Sequence, residues 1–262
     1  MTSAPALART EYEPAWFNMG LVHKRRRQWA GAMDCNRRAA ALGGAEGDPA
    51  WWNLGIAATA LRRWDIARDA WQRFGITMPA GSEELEMDLG AAPVRIDPDG
   101  HAEVVWGRRI DPARVVVMNV PMPQSGHRWR DVVLHDGAPN GERRAWGRVY
   151  SVFDELERWQ ASPIPTLEVQ VAVVGETDAQ ALTETFEHAG YAGQDWTTTT
   201  RIICKRCSEG QPPEGHDHPP AQPAATRRFG LAAPEEQAAR LLREWAAARP
   251  GNREHDDPAI VG

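Results

Sequence analysis

Two cysteines and two histidines fall within the fifteen residues "CKRCSEGQPPEGHDH" that run from Cys204 to His218. Cys204 and Cys207 form C-x2-C, and His216 and His218 follow after eight intervening residues. Structural zinc takes four Cys or His ligands in a closed tetrahedron, and C-x2-C is a common half-site. Residues two apart on an extended chain point the same way, so an H-x-H pair can supply the other half. Four protein ligands leave no open position, so zinc here would be structural, stapling a Gly/Pro-rich loop with little core of its own. Zinc fingers separate their histidines by three to five residues and their two halves by more than this loop does. The plainer reading is two reduced cysteines at a strand end and two solvated histidines. A redox C-x-x-C is a third reading, although such motifs open helices and this one closes a strand.

A second cluster lies in "SGHRWRDVVLHDG". His127, His135 and Asp136 are residue types that carry acid–base or metal chemistry. His135 and Asp136 are adjacent, so on a strand they face opposite sides, and Asp136-Gly137 also reads as the start of a turn. Glu103, on a neighbouring strand, is the carboxylate that could join the histidines. There is no Walker loop, Rossmann fingerprint, G-x-S-x-G or H-E-x-x-H. An enzyme site, if the chain had one, would centre on His127 and His135.

Composition bounds what these residues could serve. A chain of 262 residues has room for two or three small domains, and 42% hydrophobic with 25% charged residues is ordinary globular composition. A net charge of −6 argues against a general nucleic-acid binder, which needs a basic surface. The run His23-Lys24-Arg25-Arg26-Arg27 is a local exception at a helix end, where cations are favoured and solvated. No apolar leader precedes the first elements, and no apolar run reaches about 18 residues, so a soluble, cytoplasmic chain without a membrane partner is expected. Three cysteines, an odd count, suit a reducing compartment. Tryptophan is frequent, at twelve, and is enriched at binding hot spots.

The elements that must position these groups begin with a repetition. "PAWFNMG" at 14–20 returns as "PAWWNLG" at 49–55. On that offset Trp16 matches Trp51, Asn18 matches Asn53, Gly20 matches Gly55, Trp29 matches Trp64 and Ala32 matches Ala67. The second copy runs Trp51-x2-Leu54-Gly55-x2-Ala58-x8-Ala67-x3-Trp71-x2-Phe74-x4-Pro79. It closely resembles the tetratricopeptide repeat, with Ala58 and Trp71 where that family usually has tyrosine and phenylalanine. In the first copy Met19, His23 and Asn36 take the leucine, tyrosine and phenylalanine places. Asp48 is a good N-cap and Pro49 fits the first helical position. Trp51, Leu54, Ala58 and Leu61 form one apolar stripe, faced by Ala67, Ala70, Trp71 and Phe74. The resemblance covers about residues 11–80 and implies two helix–turn–helix units that bind a peptide or a protein surface.

Residues 80–93 read as a connector. "AEVVWGRRI" (102–110), "RVVVMNV" (114–120) and "DVVLHDG" (131–137) read as strands between turn signals, with one or two more in 142–153. A small antiparallel sheet or barrel over 81–160 is expected. Farther on, "PTLEVQVAVV" (165–174) alternates as a strand. Thr177-Asp178-Ala179-Gln180 has the form of a capping box, and Gly190 ends its helix, whose buried stripe would be Leu182, Phe186 and Ala189. "WTTTTRIIC" (196–204) and "RRFGLAA" (227–233) read as strands, and Pro234 opens a helix burying Ala238, Leu241, Leu242 and Trp245. A last strand at 258–261 would complete a split βαβ, ferredoxin-like unit over 161–262, while His255-Asp256-Asp257 reads as a polar tail. The fold class expected is α+β: tetratricopeptide-like hairpins, an antiparallel β-module and a ferredoxin-like unit.

This organisation points to a non-enzymatic, protein-binding chain. Trp16, Trp29 and Trp52 are the expected exposed anchors, and the acidic balance suits a basic partner. By analogy of shape it looks like a bacterial adaptor or a toxin-neutralising immunity protein.

Overall fold

The computed structural model describes residues 12–199 and 226–261. The architecture is mixed α+β, with N-terminal helices followed by strands in two sheets. The chain divides into two compact units. One holds the described residues up to Met87 together with Ile110–Ala113; the other holds Asp88–Arg109 and the described residues from Arg114 onward.

The helical unit consists of α1 (Glu13–Arg25), α2 (Trp29–Gly43), α3 (Pro49–Ala60) and α4 (Trp64–Arg73). Proline stands in the first turn of both α1 and α3, where its missing N–H costs no bond. Asp48 caps α3 by accepting from the Ala50 amide at 2.7 Å. Both helix pairs turn through a left-handed residue, Arg27 (φ 56°) and Arg62 (φ 57°), thirty-five positions apart. The close approaches repeat at the same offset. A Cβ at Gly20 would fall 2.5 Å from the Asn36 amide, and one at Gly55 would fall 2.6 Å from the Trp71 ring. Only glycine lets these helix pairs approach so closely. Leu54 (2% exposed), Ile56, Ala67, Ala70 and Trp71 (0%) form the interior. Lys24 is buried and donates to Asn53 Oδ1 at 2.8 Å, so the basic run at 23–27 is not wholly solvated. Arg68 is also buried, and it ties down the connector by donating to the carbonyls of Pro79 (3.2 Å) and Glu83 (2.7 Å).

The second unit opens with a closed five-stranded barrel of β1 (Ala91–Ile96), β2 (Glu103–Arg109), β3 (Arg114–Val117), β4 (Val132–Ala145) and β5 (Arg148–Gln160). Successive strands pair antiparallel, and the parallel pair β1–β5 closes the ring at Val94↔Phe153 and Arg95↔Asp154. Val94, Ile96, Val105, Val115, Val117 and Val133 fill the interior. β1 begins inside the stretch that reads as a connector, because Ala91, Ala92 and Pro93 carry no strand signature of their own. β4 and β5 run far longer than their apolar cores and form a two-stranded ribbon beyond the barrel wall.

The C-terminal sheet holds β6 (Thr166–Val173), β7 (Ala192–Asp195), β8 (Thr226–Ala232), β9 (Arg253–His255) and β10 (Ala259–Val261). Its order is β10-β6-β8-β7, β9 also pairs with β6, and every pairing is antiparallel. Helices α5 (Glu176–His188) and α7 (Glu235–Ala247) share its core through Leu182, Phe186, Leu241, Leu242 and Trp245, with Leu167, Val169 and Phe229 from the strands. Four local expectations are corrected. Trp196–Thr199 is a helical turn, α6, and the strand before it is 192–195. The Trp196 indole is buried beside Gly230, where a Cβ would collide with its ring, and donates to the Val120 carbonyl at 3.0 Å. The N-cap of α5 is Gly175, so no capping box forms; Asp178 instead accepts from Arg249 (2.9 Å) and Arg253 (2.8 Å). Ala189 is exposed, and Ala179 takes its place in the stripe. His255 belongs to a strand, and the Asp256 amide donates to Gln170 at 3.0 Å, so this segment is not a loose tail. No helix among the described residues is long and apolar enough to cross a membrane.

Candidate functional site

In the helical unit, α2, α3 and α4 border an open groove of about 630 Å³ lined by Arg37, Trp51, Leu54, Asp65, Ile66 and Asp69 among others. Trp51 is held in place from two sides. Its Nε1 donates to the Gly44 carbonyl at 3.1 Å, and the Arg73 guanidinium stacks over its ring at 4.9 Å. Asp69 in turn accepts from Arg73 Nε at 2.9 and 3.0 Å. The groove therefore combines an aromatic wall, an aliphatic floor and charges of both signs. Such a mixture suits an extended peptide better than a small apolar ligand.

The expected tryptophan anchors are placed differently. Trp29 is buried, with only 9% of its surface exposed, so it is not an exposed anchor. Trp52 is half-buried, packed edge-on against Trp71 (5.0 Å) and Phe74 (4.8 Å), with its Nε1 buried and unpartnered. Trp16 is half-buried against Ala39, Ala40 and Ala50, with the Arg38 guanidinium 4.4 Å over its ring. Trp51, assigned above to the core stripe, is the tryptophan that lines the groove. Its role was hard to see because α3 is apolar nearly all the way round, so a turn of about 100° between neighbours does not mark which face is open.

In the barrel, His127 Nε2 lies 2.8 Å from Glu155 Oε1, and its Nδ1 lies 2.8 Å from the Ser125 carbonyl. A carbonyl only accepts, so Nδ1 carries a proton and a second proton lies in the His127–Glu155 bond. Burial is the largest single effect on His127 and opposes its charge. The bond to Glu155 and that carboxylate's charge, with smaller help from the Ser125 carbonyl and Asp131, outweigh it and hold His127 above its ordinary value. Glu155 Oε2 accepts from the Asp97 amide at 2.9 Å, which spends the second oxygen on the β1–β2 turn. Glu103 accepts from the Met122 amide at 2.9 Å; burial raises its carboxyl, partly offset by that amide, His127 and Arg143. His135 does not join this pair by any hydrogen bond among the described residues. It is fully buried beside the Phe153 ring (5.1 Å), Nδ1 donates to the Asp136 carbonyl at 2.8 Å, and Nε2 has no partner. Burial, then the charge of Arg109, pushes it down to about 4, so it is a neutral core histidine at neutral pH.

Together His127, Glu155 and Glu103 pin the β1–β2 turn and the segment 122–127 to the barrel: Glu155 holds the Asp97 amide, Glu103 holds the Met122 amide, and His127 ties its own segment to Glu155. Sequence spacing could not pair His127 with Glu155, twenty-eight residues away across a ribbon whose register shifts repeatedly. Cys204, Cys207, His216 and His218 lie outside the described residues. Among the described residues no group of three or more His, Cys, Asp or Glu side chains could hold a metal ion.

No protein-family model matches the chain, and no curated protein does. Among solved structures, a hypothetical protein from Neisseria gonorrhoeae is similar at 11% identity and a TM-score of 0.25, over 68% of this chain and 99% of that one. That likeness is too slight to bear on fold or function.

Proposed function

We propose that this chain is a protein-binding adaptor whose helical unit is a pair of tetratricopeptide-type repeats, and that the groove beside Trp51 receives an extended segment of another protein. The observation that carries the reading is the recurrence at one offset of Arg27 and Arg62 and of Gly20–Asn36 and Gly55–Trp71, together with a groove on the same helices. The C-terminal sheet belongs, on this reading, to the split βαβ, ferredoxin-like kind, supported by its order β10-β6-β8-β7 with helices after β6 and β8. A cytoplasmic adaptor and an immunity protein that neutralises a basic toxin are two forms of the same proposal. They differ in the partner's charge and in whether the partner is harmful when free. The Cys204, Cys207, His216, His218 loop holds a structural zinc in this proposal, supported by its ligand types and spacing alone.

The test is affinity capture from the native host with tagged full-length chain and with Ile66→Arg, which places a long cation in the groove. A partner retained by the parent chain and lost by the variant, with melting temperatures within a few degrees, is the expected result. Equal capture by both would remove the groove from the proposal.

A further inference from the structure

The ribbon formed by β4 and β5 ends in the two-residue loop Trp146-Gly147, closed by the pair Ala145↔Arg148. Both loop residues have positive φ, 49° and 73°, as a type I′ turn requires. Asn-Gly and Asp-Gly fill such turns because a short polar side chain tolerates the left-handed region, whereas a bulky residue there is an outlier. Trp146 is that outlier, and it is 73% exposed. Neither local conformation nor burial accounts for a tryptophan at this position.

Its neighbours share a pattern. Trp146 lies 4.8 Å from Trp106 on β2 and 6.1 Å from Tyr150, and Trp106 meets Tyr150 edge-on at 5.0 Å. The Arg143 guanidinium sits 5.1 Å from the Trp106 ring centre and donates to the Val104 carbonyl at 2.9 Å, bracing the ribbon against β2. Arg143 faces Tyr150 and Ala145 faces Arg148 across the ribbon, so by the period of two these four share the aromatic face. Arg108 follows Trp106 by two on the outer face of β2. Among the described residues Arg108 and Arg148 make no ion pair or side-chain hydrogen bond, while Arg144 pairs with Val149 on the opposite face of the ribbon. The nearby carboxylate Asp154 is already spent on Arg95 (2.6 Å) and Asn140 (2.6 Å), and Glu142 lies on the opposite face of the ribbon.

We infer that this face binds single-stranded nucleic acid, with unpaired bases stacking on Trp146 and its aromatic neighbours and phosphates meeting Arg108 and Arg148. Flat rings interleaved with unspent guanidinium groups complement a ligand that alternates π-faces and negative charge. A duplex hides its base faces, whereas a single strand offers one open π-face and one negative charge in every nucleotide and so uses both halves of the surface. The net charge of −6 is an average over the chain, whereas residues 143–148 carry three arginines and no acid. This surface belongs to the second unit, and the inference does not rest on the groove of the helical unit.

The experiment measures binding of the full chain to fluorescein-labelled oligouridylate and oligodeoxythymidylate of roughly 15 nucleotides, at about 50 mM salt, by anisotropy. A blunt duplex of the same length and vesicles rich in phosphatidylserine serve as competing arms. Single strands of either sugar should bind, the duplex at least about tenfold more weakly, and the vesicles not at all. Trp146→Asn places a residue the turn prefers, so its melting temperature should hold or rise while affinity for single strands falls within about 5- to 150-fold. Arg148→Gln should weaken binding and flatten its salt dependence. No binding to single strands, equal affinity for duplex, recruitment to vesicles instead, or full affinity in Trp146→Asn would each overturn the inference.

Discussion

The two compact units solve the burial of charge in opposite ways. In the helical unit, buried cations reach partners close in sequence. Arg68 turns to carbonyls 11 and 15 residues on, and Lys24 reaches Asn53, 29 residues on, in the next helix pair. In the second unit, buried and half-buried charges tie together distant strands and helices: Arg95 to Asp154, both half-buried, across 59 residues, Arg253 to the buried Asp178 across 75, and the buried Arg227 to both Asp195 and Glu176 across 32 and 51. The titrating histidines His127 and His135 also lie there. Packing of small against large apolar groups should therefore set the stability of the first unit, and ionisation state that of the second.

Trp71→Ala strikes the first unit at its largest side chain, fully buried against Gly55. A loss of about 3–5 kcal/mol is expected, measured by urea unfolding with two separable transitions. A loss near zero would show that the Gly55 contact does not organise the helices. Arg227→Leu should cost about 3 kcal/mol in the other transition, because it strands Asp195, which is mostly buried, while the exposed Glu176 regains water. A neutral effect would mean that leucine packing there replaces the ion pairs outright.

His135 sharpens the contrast through pH. Its folded-state value is depressed from about 6.5 to about 4, so its contribution is present above pH 6.5 and is lost as pH falls toward 4. That window holds about 3 kcal/mol, and His135→Gln should flatten it in acid titrations followed by circular dichroism. An unchanged acid limb would place the sensitivity elsewhere. His127 is raised, so the sign reverses: its pairing with Glu155 stabilises below its ordinary value and fades as pH climbs through the raised one. The smallest effect belongs to Asp48→Ala, which removes one cap bond and should cost about 1 kcal/mol in urea unfolding.

Much of the helical unit could be read from letters alone, because its contacts recur at short separation. Asp48, Leu54, Gly55 and Trp71 stand in the roles their types and spacing suggest. The second unit was legible where alternation marked a buried strand, as in Leu167, Val169 and Val171, and illegible where partners alone make the element. Ala91, Ala92 and Pro93 become a strand only because β2 lies alongside. Trp196 turns out of the sheet because Val120, 76 residues earlier, offers it a carbonyl. The candidate sites divide in the same way. Trp51 was visible as a residue but not as a groove wall, and the partner of His127 depends on bulged register that no local pattern encodes.

The parallel closure of the barrel has a mechanical consequence. A meander of five strands brings its first and last strands together pointing the same way, so the chain enters the barrel at one end of that pair and leaves at the other. Tension along the backbone would then slide β1 against β5 instead of peeling them apart. The Val94↔Phe153 and Arg95↔Asp154 pairings and the 2.6 Å Arg95–Asp154 ion pair would share the load at once. Resistance of that kind is governed by the unfolding rate. A barrel so joined would hold under pull far better than an equally stable one whose end strands unzip a bond at a time.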